Sequence, residues 1–140
     1  MPILAPNDGE VALLTELLAS GENWTLKLYS SNTTPAETDV AATHTVANFT
    51  GYVDKTLTRT VGASTWNTPA QTGTTLETSN AKSTYGAAAQ SWSATSAQTI
   101  YGYILIGATS TKLLFAERFA TSVALVNPST LSFSPVMELG

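Results

Sequence analysis

Residues 99–119 read TIYGYILIGATSTKLLFAERF, and their patterning decides the fold. Over 99–107 the chain is rich in β-branched and aromatic residues and apolar at both parities, as expected of a strand covered on both faces at the centre of a sheet. Thr109-Ser110-Thr111 supplies a short polar turn, and 112–119 returns as the second arm of a hairpin. Along that arm Leu113, Phe115, Glu117 and Phe119 share one side, apolar except for the carboxylate. An unpaired buried carboxylate is costly, so the pattern predicts a cationic partner for Glu117. Arg59, in phase with Leu57 and Val61, is the best placed. The expected Arg59–Glu117 salt bridge would fix strand register, and removing either partner would cost about 3–5 kcal/mol. A β-bulge turning Glu117 outward is the alternative.

Downstream of this hairpin, 123–126 reads as a short strand before an Asn127-Pro128 turn. Leu131, Phe133, Pro135, Met137 and Leu139 then alternate with polar neighbours. Pro135 has no N–H to give a ladder, so this strand is expected on an edge, or bulged there. Upstream, Trp24, Leu26 and Leu28 alternate with Thr25, Lys27 and Tyr29, a half-buried strand with Trp24 inward. Residues 30–35 are turn chemistry, 37–48 an irregular excursion, and 52–61 alternates again. Between 62 and 98, Pro69, Gly73 and Gly86 separate candidate strands around Trp66, Leu76 and Trp92. At the start, Asn7 and Glu10 have capping-box spacing. Val11, Leu13, Leu14, Leu17 and Leu18 then fall on one side of a wheel, and Gly21 follows at a C-cap position, predicting a helix over 8–20. Roughly six to nine strands at spacings of about ten residues give a mostly β fold. The expectation is a single β-sandwich (jelly-roll-like) domain over 22–140, preceded by an N-terminal arm and short helix over 1–21.

The chain has 140 residues, a net charge of −4, one His and no Cys. Charged residues are 11%, less than half the usual share of about 25%, and 24 Thr and 14 Ser take their place. Zero Cys excludes disulfides, thiolate metal sites and Cys nucleophiles. One His excludes a two-His zinc site. Six scattered basic residues argue against nucleic-acid binding, which needs a basic stripe. The apolar runs are too short for a membrane span, and no basic region precedes the first apolar segment as it would in a secretory signal.

No constellation predicts catalysis, a cofactor or a metal. A Ser-His-Asp triad would have to use His44 with Asp39 or Asp54, and no Gly-x-Ser-x-Gly elbow is present. His44 sits in an unpatterned stretch and reads as a solvent-facing or subunit-contacting loop residue. Glu37 and Asp39 could share a face as a glycosidase pair, but nothing in the sequence marks a cleft there. Asn7-Asp8-Gly9-Glu10 is better explained as a helix cap than as a calcium loop. Among the aromatics, Trp66 and Trp92 lie in the loop-rich middle and are the candidate contact residues, for a sugar or, as is more frequent for such residues, for packing within the domain or between subunits.

Five phrases in order carry a resemblance: LKLYS at 26–30 with Thr34-Pro35; FTGY at 49–52 leading to KTLTR at 55–59; YGY at 101–103; LFAERF at 114–119; and LSFSP at 131–135. Together they resemble a family of small tailed-bacteriophage virion proteins. The resemblance implies a non-enzymatic structural role, foremost a capsid decoration (cement) protein that bridges major capsid protein subunits, assembled in the host cytoplasm and resident in the virion. It implies self-association, with a homotrimer expected, and no nucleic acid or membrane partner. Residues 1–20 and the 62–98 loops are the expected contact surfaces, and the last three strands the core. The alternative is a tail or baseplate protein binding host-surface glycans through Trp66 and Trp92.

Overall fold

The computed structural model describes residues 5–73, 80–86 and 88–139. The chain is mostly β, and the described residues form helix α1 (Asn7–Ala19), a 3-10 turn (Ala41–Thr43) and nine strands. The strands are β1 (Trp24–Tyr29), β2 (Lys55–Leu57), β3 (Ala70–Thr72), β4 (Asn80–Thr84), β5 (Gln90–Ala94), β6 (Gln98–Gly107), β7 (Leu113–Leu125), β8 (Ser129–Phe133) and β9 (Val136–Leu139). They form antiparallel sheets in the orders β2-β1-β6-β7, β3-β4-β9 and β5-β8. Two compact units emerge. One comprises Met1–Gly21, Thr58–Ala89 and Ser134–Gly140, and the other Glu22–Leu57 and Gln90–Phe133.

The second unit is a β-sandwich. As the both-face apolar pattern of 99–107 requires, β6 is internal, between β1 and β7. Register pairs Leu26 with Leu105 and Leu28 with Tyr103, so these residues share one face of the four-stranded sheet with Trp24. The β5-β8 ribbon packs on that face. Phe133 lies 5.0 Å from Tyr103 and 5.5 Å from Trp92, ring centroid to ring centroid. Leu26, Leu28, Trp24 and Trp92 are buried between the layers. On the opposite face, Ile104 pairs with Lys27 and Ala116. The end of the 30–47 excursion runs beside β1 at its edge, where Ser30 N–H donates to the Thr45 carbonyl, Ala47 N–H donates to the Leu28 carbonyl and Val46 bridges Tyr29. The separate short strand expected at 123–126 is the far end of β7. The register between β6 and β7 slips between Ile100 and Gly102, leaving residues 119–122 as a bulge in one continuous strand.

The first unit packs α1 on β4 and β9, burying Leu14 and Leu18. The expected helix forms, but it is capped otherwise than predicted. Pro6 is the N-cap and makes no side-chain cap bond. Its carbonyl accepts from Glu10 N–H at 3.0 Å, so Asn7 is the first helical residue and not a cap. Leu13, read as part of the apolar stripe, is exposed. The helix thus packs on its own unit. Trp66 is buried here against Tyr85, with ring centroids 5.1 Å apart, and Tyr85 Oη accepts from Thr58 N–H. The candidate strand at Leu76 lies outside the described residues. The predicted 131–139 strand is two strands, broken at Ser134-Pro135. Pro135 cannot donate to a ladder, but its carbonyl accepts from Tyr85 N–H at 2.8 Å, and β9 is an edge of its sheet.

Arg59 is held at the end of α1. Its Nε donates to the Leu17 carbonyl at 2.9 Å, and Nη2 donates to the same oxygen. A cation is thereby fixed on a terminal carbonyl of α1, where both the unsatisfied acceptor and the helix dipole favour it. Gly21 makes the approach possible. Its φ of +96° is left-handed, and a Cβ there would collide with the guanidinium. Arg59→Met, which keeps the aliphatic stem, is therefore expected to lose about 1 kcal/mol in thermal unfolding. Glu117→Gln should stay within about 0.5 kcal/mol of wild type. The reverse ranking would restore the salt-bridge reading.

Candidate functional site

Of the expected site residues, Trp66 and Trp92 are not surface aromatics. They are 0% and 2% exposed. Trp92 alternates correctly in β5, with Gln90 and Ala94 at its parity and Ser91 and Ser93 turned out. Its Nε1 donates to the Val53 carbonyl at 2.7 Å, and Lys55 Nζ sits 5.5 Å from its ring centroid. The contact role assigned to both Trp residues is corrected to a core role.

Glu117 has the predicted phase and lacks the predicted burial. It pairs with Tyr103 across β6 and β7, on the face that the β5-β8 ribbon covers over β1 and β6. However, β7 is the sheet edge, the ribbon does not extend over it at this position, and Glu117 is exposed. Burial, with the Glu117 charge adding to it, pushes the Tyr103 hydroxyl up to about 12. A solvated carboxylate needs no buried cation, so the physical premise of the Arg59–Glu117 pair is removed. The two residues belong to different compact units.

The neighbouring Arg118 carries the function that parity could not show. It donates to the Thr33 carbonyl at 2.9 Å and to Asn32 Oδ1 at 2.6 Å, and lies over the Tyr101 ring. This pins the start of the 30–47 excursion to the sheet. Further along the excursion, His44 is 2% exposed, not a solvent-facing loop residue. Its ring packs on Tyr29 at 4.7 Å, and its Nε2 lies 3.1 Å from Asp39 Oδ2. The same carboxylate oxygen accepts from Ala36 N–H at 2.9 Å. The buried Nδ1 of the same ring has no hydrogen-bond partner among the described residues.

These contacts shape a cavity of about 280 Å³ that the sequence did not mark. Its lining comes from residues 35–37 and Asp39 on one side and 113–116 on the other. Two carboxylates, Glu37 and Asp39, face the apolar side chains of β7 across it, and polar atoms make up most of its exposed lining. Four consecutive residues of β7 line it, although their side chains alternate in direction. The cavity therefore lies along the strand's outer edge, not over one face. Leu114 and Phe115 remain 39% and 36% exposed there.

No family model, curated protein or solved structure matches this chain.

The chemistry of the site follows from its own residues. The cavity carries two carboxylates beside a mostly polar lining, which suits a cationic group. Among the described residues no cluster of three or more His, Asp or Glu could hold a metal ion. No described helix is long and apolar enough to cross a membrane.

Proposed function

We propose that this chain is a non-enzymatic virion structural protein of a tailed bacteriophage, acting as a capsid decoration protein that binds and bridges major capsid protein subunits. The observation that carries the reading is the ordered set of five phrases between 26 and 135. They fall on β1, β2, β6, β7 and β8, all strands of the sandwich unit. Support of a different kind comes from the β7 edge, where Leu114 and Phe115 are open to contact. Low charge and abundant Thr add neutral hydrogen-bonding groups suited to close packing against neighbours. The mechanism is mechanical. Binding the assembled lattice in preference to free shell subunits stabilises the shell by linkage, whether the chain docks as a monomer or as the homotrimer.

Immunogold electron microscopy of intact particles with an antibody to this chain tests the reading. Label over the head, with capsids that withstand heat better when coated than when stripped, is the expected result. Label on the tail alone would replace decoration by a tail role, and unlabelled particles would overturn both. The glycan-binding alternative loses its proposed platform, because Trp66 and Trp92 are core residues.

A further inference from the structure

We propose that the cavity beside β7 receives a Lys or Arg side chain from an extended segment of a partner protein, which adds as a strand to the free edge of β7. The partner's identity as a shell subunit rests on the function proposed above; the chemistry of the site does not.

Three observations converge on this occupant. The first is the edge itself. Among the described residues β7 ends the order β2-β1-β6-β7; its register with β6 shifts between Leu105 and Ile106, leaving Leu114 as a bulge, and beyond it, along 115–117, alternate backbone N–H and C=O groups point away from the sheet. Such an edge is a template for another strand. The second is charge. Glu37 and Asp39 give the cavity two carboxylates, and the chain's net charge is −4. The complementary occupant is a cation, and the apolar side chains of Leu114 and Ala116 fit the methylene stem of a basic side chain. The third is preorganisation. Asp39 is held by Ala36 N–H and by buried His44, itself packed on Tyr29. A carboxylate so held does not have to be ordered when a ligand arrives, which lowers the cost of binding. A cavity of about 280 Å³ is at the bottom of the range for small-molecule sites, roughly 300–1,000 Å³. It accommodates one side chain, and the main-chain groups of the edge supply the remaining contacts. A free amine would use the carboxylates and leave the edge unpaired.

The test uses the full chain, labelled with nitrogen-15, and the capped peptide acetyl-TVTKTVT-amide as probe. Titration followed by amide chemical shifts should move residues 113–117 and 35–39. Replacing the probe's lysine by norleucine, equal in length and uncharged, should weaken binding about 3- to 10-fold. Glu37→Gln, a change at an exposed side chain, should weaken the lysine probe similarly and leave the norleucine probe unaffected. That non-additivity places the cation beside Glu37. Methylating the probe's backbone nitrogens on the edge-facing side should abolish binding without touching the protein. Equal affinity for the lysine and norleucine probes would overturn the cation assignment. Binding of n-butylamine as tight as that of the peptide would overturn strand addition, as would shifts elsewhere or none at millimolar probe. Because no particle is involved, failure here leaves the electron-microscopy test of the virion role standing, and a failure there leaves this one standing.

Discussion

Trp92→Ala is expected to destabilise the protein by about 3–5 kcal/mol, enough to unfold a domain of ordinary stability at modest denaturant. Three separate contacts disappear together. The indole is 2% exposed between the β5-β8 ribbon and the larger sheet, so its removal leaves a cavity that the ladder on either side cannot collapse. Its stack on Phe133, at 5.5 Å and 24°, goes with it. The Val53 carbonyl also loses the Nε1–H donor at 2.7 Å. Trp92→Phe separates these effects. It retains most of the apolar volume and the ring stack, so its cost should be mainly the unsatisfied carbonyl, about 1–3 kcal/mol. Urea unfolding followed by near-ultraviolet circular dichroism and by backbone signal would report both variants. A Trp92→Ala protein as stable as wild type would mean that the ribbon is not packed as described, and would return Trp92 to the surface role that its loop-like sequence context suggested.

That context shows where sequence reading reached and where it stopped. The strands of the larger sheet were legible because period-two patterning reports burial directly. The sequence 24–29 alternates and forms β1, and 99–107 is apolar at both parities and forms the interior of the sheet. Trp92 carried the same signal in QSWSA, but Ser and Ala on either side make a polar stretch, and composition outweighed parity. Glu117 failed differently. Its phase was read correctly, and it does share a face with Tyr103. Whether a face is covered depends on a second element, and the ribbon, which meets β7 where Phe133 packs on Phe119, leaves Glu117 exposed. No local pattern contains that information. The cavity was invisible for a related reason. Asp39, His44 and Arg118 are brought together by contacts between the 30–47 excursion and the sheet, and hydrogen bonds from Arg118 to Thr33 span 85 positions. Pro135 was the clearest local signal, since its missing N–H marks the point where one alternating run becomes β8 and β9.

Gly102→Ala should cost at least about 1–3 kcal/mol, the usual range for overpacking, and should also weaken the cavity beside β7. Gly102 lies in β6 and is paired with Tyr29 on one side and Arg118 on the other. A Cβ here would stand 2.6 Å from the Tyr29 hydroxyl oxygen and 2.7 Å from its Cζ, and would collide with the Glu117 carbonyl oxygen. The tyrosine can swing away, but the carbonyl belongs to the ladder and cannot move without opening β7 from β6. The double variant Gly102→Ala, Tyr29→Phe is therefore expected to recover only part of the loss, because deleting the hydroxyl leaves the backbone collision in place. Displacing Tyr29 also removes the ring on which His44 packs, and His44 in turn holds Asp39. The methyl group should thus reduce binding of a lysine-bearing strand at a distance, with Glu37 and the edge of β7 unaltered in sequence. Denaturant midpoints, read alongside the amide-shift titration of each variant, separate the two effects. If Gly102→Ala unfolds at the wild-type midpoint, the close approach of β6, β7 and Tyr29 is wrong. If it is destabilised and yet binds the lysine probe with undiminished affinity, the chain of contacts from Tyr29 through His44 to Asp39 does not organise the cavity.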